Sequence, residues 1–159
     1  MFLNKRKAIF LISILSLVFF LTINDINSQK LKVVDGDTIH LNGEKIRFTG
    51  IDSPELKQTC IKDGNKSPCG LTAKKILINK IGHNNVECIS EGKDQYQRTL
   101  AECFVNDQSL SSYLVKSGYA FAYRKYSKKF IKDEDYARGK KIGMWSMKFD
   151  YPWDYRRNN

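Results

Sequence analysis

Two short stretches of this chain carry residues that could do chemistry. Val33-Val34-Asp35-Gly36-Asp37-Thr38 is followed by Ile46-Arg47-Phe48-Thr49-Gly50-Ile51-Asp52-Ser53-Pro54-Glu55. Asp37, Asp52 and Glu55 fall at turns or strand ends, and Arg47 sits on the strand between them. Carboxylates gathered this closely repel one another unless something neutralises them, and a hard cation with oxygen ligands does so naturally. The guanidinium supplies a planar charged fork that suits a phosphate. A metal site, an acid beside it and a phosphate clamp point together to phosphodiester hydrolysis. Asp35 is read as serving the turn, its side chain capping local N–H groups.

The elements that must position these residues are legible from periodicity. Leu31 to Val34, Thr38 to Leu41 and Lys45 to Ile51 are short β-rich runs, with turn signals at Asp35-Gly36 and Asn42-Gly43 offering positive φ at little cost. Ile46 and Phe48 share one face of the third run, so Arg47 points to the other. Pro54 closes the strand region. From Leu71 the apolar positions Ala73, Ile76, Leu77 and Ile81 recur at helical spacing, with Gly82 placed as a C-cap. Asn85 to Ser90 and Thr99 to Val105 read as two strands of a hairpin. Ser109 to Ser117 reads as a short helix stopped by Gly118. A last helix is expected after Ser127, as N-cap, running toward Lys140. Five strands with interspersed helices predict an α+β fold, mostly β: a five-stranded Greek-key barrel of the OB type with about three helices.

The bulk properties bound the setting. The 159 residues suffice for one domain with its own core and a short appendage. Residues 8–23 form an apolar run behind Asn4-Lys5-Arg6-Lys7, the layout of a secretory signal or a retained N-terminal membrane anchor. The expected organisation is therefore a leader at 1–27, a domain at 28–149 and a basic, aromatic tail at 150–159. Either leader sends the chain outside the cytoplasm, periplasmic, extracellular or anchored at the membrane, where four cysteines imply disulfides. Three pairings are possible on paper. Spacing favours Cys60 with Cys69, around Asp63-Gly64-Asn65, and Cys88 with Cys103 across the hairpin. With no Cys-x-x-Cys, and with His40 and His83 remote from ligand spacing, a zinc site is disfavoured. The net charge of +10 favours polyanionic partners. Aromatics beside basic residues, as in Tyr123-Arg124-Lys125-Tyr126, are compatible with stacking on bases. Trp145 and Trp153 are read as packing anchors.

In order along the chain, Asp35-Gly36-Asp37-Thr38, Arg47, Asp52-Ser53-Pro54-Glu55, Asp94-Gln95-Tyr96-Gln97-Arg98 with Leu100-Ala101, and Leu114-Val115-Lys116-Ser117-Gly118-Tyr119-Ala120 resemble the staphylococcal nuclease, or thermonuclease, family. The resemblance covers roughly residues 30–145, and the closing Tyr151-Pro152-Trp153-Asp154-Tyr155-Arg156-Arg157 is similar to tails of its secreted bacterial members. It implies an OB barrel and a Ca2+-dependent nuclease that cuts DNA and RNA with little sequence preference and leaves 3′-phosphates. By the same resemblance, Asp37 and Asp52 match calcium carboxylates and Ser53 the residue lending a backbone carbonyl. Glu55 matches the acid that handles the attacking water, Arg47 and Arg98 the arginines on the scissile phosphate, and Tyr96 and Tyr123 the aromatics that contact the nucleotide. The chain departs from the resembled pattern at Gln95, where lysine is usual, and at Lys125, where a second tyrosine is. From the residues alone Arg98 has another reading, an ion pair with Asp94. The competing function is a non-catalytic nucleic-acid-binding barrel. A monomer is expected.

Overall fold

The computed structural model describes residues 29–159. The leader expected at 1–27 lies outside the described residues. Strands β1 (Leu31–Val33), β2 (Thr38–Leu41) and β3 (Glu44–Phe48) form an antiparallel meander. Asn42 (φ 53°) and Gly43 (φ 89°) close the β2–β3 hairpin, both in the left-handed region that a right-twisted two-residue turn demands. The third expected run is cut short. Gly50, at φ 72°, turns the chain after β3, so that β4 (Ile51–Asp52) leaves the sheet and pairs with β10 (Phe121–Ala122).

The expected hairpin forms from β7 (Glu87–Lys93) and β8 (Thr99–Val105). β7 runs three residues further than its apolar content suggests, because a register shift between Ser90 and Gly92 lets the strand continue past Glu91. β8 pairs in parallel with β3, so the sheet order is β1-β2-β3-β8-β7, with β9 (Gln108–Ser109) added on β8. These are the five strands expected from the sequence, in a Greek-key order that leaves the barrel partly open among the described residues. Burial follows the alternation: Ile46 and Phe48 lie in the core, while Arg47 is on the opposite face.

Helix α1 (Cys69–Ile81) starts two residues before the first apolar position of its pattern and ends as expected, with the Gly82 N–H donating to the Ile78 carbonyl at 2.9 Å. The loop ahead of it contains a small hairpin, β5 (Cys60–Lys62) and β6 (Asn65–Ser67), closed by the Cys60–Cys69 bridge. Cys88 and Cys103 are directly opposed in the β7–β8 register and form the second bridge. α2 (Leu110–Lys116) is capped by Ser109, whose Oγ accepts the Ser112 N–H at 3.2 Å. α3 (Ile131–Gly139) begins later than expected. Ser127 does not cap it; its Oγ accepts from Lys129 N–H at 3.1 Å, and Phe130 occupies the cap position. After a 3-10 turn (Gly143–Ser146), α4 (Pro152–Asn158) occupies the segment read from sequence as a tail.

Two apolar clusters hold this arrangement. The larger lies between the sheet and helices α1 and α2. The smaller gathers the Cys60–Cys69 bridge, Phe121 and Met144, with Tyr151 and Trp153 packed against it beside Trp145 and Phe149. Both tryptophans thus act as packing anchors, as expected, and the ring of aromatics docks α4 on the domain.

Candidate active site

Asp37 stands at the start of β2 and is 2% exposed. Its N–H donates to Asp35 Oδ1 at 3.1 Å, so Asp35 serves the turn as read from sequence. Neither Asp35 nor Gly36 adopts positive φ here. Gly36 is required for a different reason: a Cβ there would lie 1.9 Å from Ser53 Oγ and 2.9 Å from the Ala73 Cβ. The turn therefore sits directly on the Ser53 segment and α1. The Ser53 N–H donates to Asp37 Oδ2 at 2.8 Å, tying the two acidic stretches together.

The β2–β3 register places Arg47 opposite Thr38, beside Asp37. Its Nη1 donates to Asp37 Oδ1 at 2.6 Å and its Nη2 to Asp52 Oδ1 at 2.8 Å. One guanidinium thus bridges two carboxylates, and Asp52 is fully buried beneath it. Glu55 follows on a turn set by Gln58, a residue that carries no motif signal. The Gln58 Oε1 accepts the Glu55 N–H at 3.1 Å, its N–H donates to the Glu55 carbonyl at 2.7 Å, and its Nε2 reaches the Asp150 carbonyl at 2.7 Å. At 1% exposure, this amide is held with all these groups paired.

The second residue that sequence reasoning missed is Arg156, on α4. Its Nη2 donates to Asp52 Oδ2 at 2.7 Å, and its Nη1 to Asp52 Oδ1 at 3.1 Å and Glu55 Oε1 at 2.7 Å. No spacing rule reaches across a separation of 101 residues. Only the aromatic docking of α4 brings it here.

Charge and burial compete throughout this cluster. Burial pushes the Asp37 carboxyl up to about 7, helped by the neighbouring charges of Asp35 and Asp52 and opposed by Arg47 and the Ser53 N–H. Burial disfavours the charge on Arg47, yet Asp37 and Asp52 hold its pKa above the ordinary value. Arg156 is likewise penalised by burial and held firmly protonated by its hydrogen bonds to Asp52 and Glu55.

Asp37, Arg47, Asp52, Ser53 and Glu55 are therefore brought together, with Arg156 added. Arg98 forms a separate cluster on the β7–β8 connection. Its Nε donates to Asp94 Oδ2 at 2.7 Å, the ion pair that the residues alone allowed. Burial raises the Asp94 carboxyl, but N–H donors from Arg98 and Tyr96 outweigh it and lower its pKa. In the β3–β8 register Arg47 opposes Leu100, and Arg98 directly precedes Thr99, the first residue of β8. Tyr96 is 70% exposed and lies against the Arg98 guanidinium. Tyr123 is stacked on Trp153, the ring centres 5.6 Å apart and the planes 2° from parallel.

As a cation site, the donor set is oxygen only, which suits a hard ion such as calcium rather than zinc. Asp37 and Asp52 both lie within hydrogen-bond reach of one cationic group, so a cation between them is sterically and electrostatically reasonable. Among the described residues, no three acidic, histidine or cysteine side chains already surround a common point. An open groove of about 620 Å³, lined by Tyr113, Lys116, Ser117, Tyr136 and Ile142, contains none of these acids.

Against known proteins, the profile of the family described as Staphylococcal nuclease homologue matches residues 45–147. That span includes Arg47, Asp52, Ser53, Glu55, Tyr96, Arg98 and Tyr123, and leaves Asp37 and Arg156 outside it. An uncharacterized endonuclease of Haemophilus influenzae is 35% identical over 123 residues, which is 73% of this chain and 64% of that protein. A probable staphylococcal-like nuclease of Oryza sativa is 31% identical over 117 residues, 72% of this chain and 29% of that protein. An SPbeta prophage-derived endonuclease of Bacillus subtilis is 32% identical over 138 residues, 72% of this chain and 42% of that protein. The chain thus spans less than two thirds of the length of each of these three relatives.

Proposed function

Because this chain belongs to the staphylococcal nuclease homologue family, we propose that it is a calcium-dependent nuclease that hydrolyses phosphodiester bonds of DNA and RNA with little sequence preference and leaves 3′-phosphates. The observation that carries this reading is the buried Asp37–Arg47–Asp52 bridge with Glu55 joined to Asp52 through a shared guanidinium. Such a cluster is costly to bury and is retained where charge must be managed during chemistry.

Asp37 and Asp52, with the backbone carbonyl of Ser53, would hold the cation. Calcium bound there supplies Lewis acidity toward a phosphoryl oxygen. Glu55 is the carboxylate left to take the proton from the attacking water, and its side chain is 40% exposed, so water reaches it. As the new P–O bond forms, the bond to the 5′ oxygen breaks and its electron pair leaves with that oxygen, which takes a proton from solvent. Arg47, and Arg98 once it turns from Asp94, donate to the phosphoryl oxygens as charge builds on them. Tyr96 and Tyr123 border the nucleotide. Two bridges support an oxidising compartment, hence an exported or membrane-anchored monomer with nucleic acid as its substrate.

The test is digestion of single- and double-stranded DNA and of RNA by the purified protein, with calcium and with EGTA. Fragments ending in 3′-phosphate, abolished by the chelator, are expected. DNA that is bound in calcium yet stays intact would instead mark a binding module.

A further inference from the structure

Arg156 stands where the substrate of this site would have to pass. A phosphodiester attacked by water held at Glu55, while one of its oxygens meets a cation at Asp52, lies between those two carboxylates. That place is taken by the Arg156 guanidinium, which joins Asp52 and Glu55 with hydrogen bonds of 2.7 to 3.1 Å. Asp52 has little acceptor capacity left, since Arg47 takes a further share of Oδ1. A cation that claims Asp52 Oδ2 must displace Arg156, just as one that bridges the Oδ1 atoms of Asp37 and Asp52 must displace Arg47.

A displaced guanidinium needs a new partner. Arg156 loses its hold on Asp52 when a divalent ion takes that carboxylate, and a phosphodiester arriving beside it carries one negative charge and offers the planar fork two adjacent acceptor oxygens. The exchange needs no dislocation of α4. Pro152 is buried and Trp153 is stacked between Tyr123 and Tyr151, so the helix stays docked. The Arg156 side chain, 38% exposed, can swing on its own flexible stem.

We propose that Arg156 is a further catalytic residue, a third phosphate-binding arginine contributed by the C-terminal helix, which pairs with Asp52 and Glu55 and transfers to the phosphodiester when a cation takes Asp52. The proposal rests on the calcium nuclease reading above.

The experiment uses Arg156→Ala and Arg156→Lys beside wild type, with Arg157→Ala as control, because among the described residues Arg157 pairs with Asp154, away from the acidic site, and is 75% exposed. Calcium binding without nucleic acid is measured by calorimetry, and KM for DNA at saturating calcium by digestion. Arg156→Ala should bind calcium about tenfold more tightly, because its competitor is gone, while KM for DNA rises about tenfold. Arg156→Lys, keeping the charge without the fork, should fall between, and Arg157→Ala should match wild type. Unchanged or weaker calcium binding in folded Arg156 variants, or an unchanged KM, overturns the proposal while leaving the nuclease reading intact. Wild type that binds no calcium overturns both.

Discussion

At Asp37 two physical demands conflict. Burial favours the neutral acid, whereas a cation and Arg47 both favour the carboxylate, and burial raises its pKa to about 7 from the ordinary 3.8. Between those two values the folded state holds a proton that the unfolded chain has lost. This group's contribution to stability is thus fullest below about pH 4 and is lost as pH rises through about 7. On the calcium reading proposed above, binding has the opposite dependence, because the proton must leave before the ion binds. We expect calcium affinity from calorimetry to weaken by about tenfold for each pH unit below about 7, a dependence that Asp37→Asn removes along with most of the binding. A flat affinity between about pH 5.5 and 7.5 would show that Asp37 is not a ligand. The acidic motif itself was visible in the sequence from its spacing at turns and strand ends. Its electrostatic state was not, since that depends on how completely β2, β3 and the Ser53 segment exclude water.

Among the elements, α1 does the most to aim the site. Its second residue, Gly70, packs so closely on the Glu55 turn that a Cβ there would lie 1.8 Å from the Glu55 carbonyl oxygen and 2.7 Å from its carbon. Both are backbone atoms and cannot rotate aside. Gly70→Ala should therefore push the turn away from α1, costing about 1–3 kcal/mol in stability by chemical denaturation and lowering kcat along with it. Wild-type stability with wild-type turnover would show that the turn is not held there. The apolar spacing of Ala73, Leu77 and Ile81 made this helix readable from sequence, as the alternation of Ile46 and Phe48 did for β3. The starts of α1 and α3 were not readable. Cys69 is held by its bridge to Cys60, and Phe130 is buried in the core, so packing rather than a capping side chain fixes both boundaries.

For the whole molecule, a net charge of +10 on a chain of 159 residues favours long-range attraction to polyanions. KM for long DNA should rise by about tenfold or more between about 50 and 200 mM salt, with kcat little changed, because each phosphate contact releases counterions. A KM indifferent to salt would mean that the basic excess does not face the substrate. From the sequence by itself, the ordered motifs carried the resemblance to the family, local periodicity and turn chemistry marked the five strands and three of the four helices, and cysteine spacing favoured the one pairing of three that forms. Tertiary structure alone decided that Gln58 would fasten the Glu55 turn to Asp150 and that the last helix would carry Arg156 onto Asp52 and Glu55. Those contacts are set by the docking of Tyr151 and Trp153 against Phe121, and side chains a hundred positions apart share no periodicity that could announce their meeting.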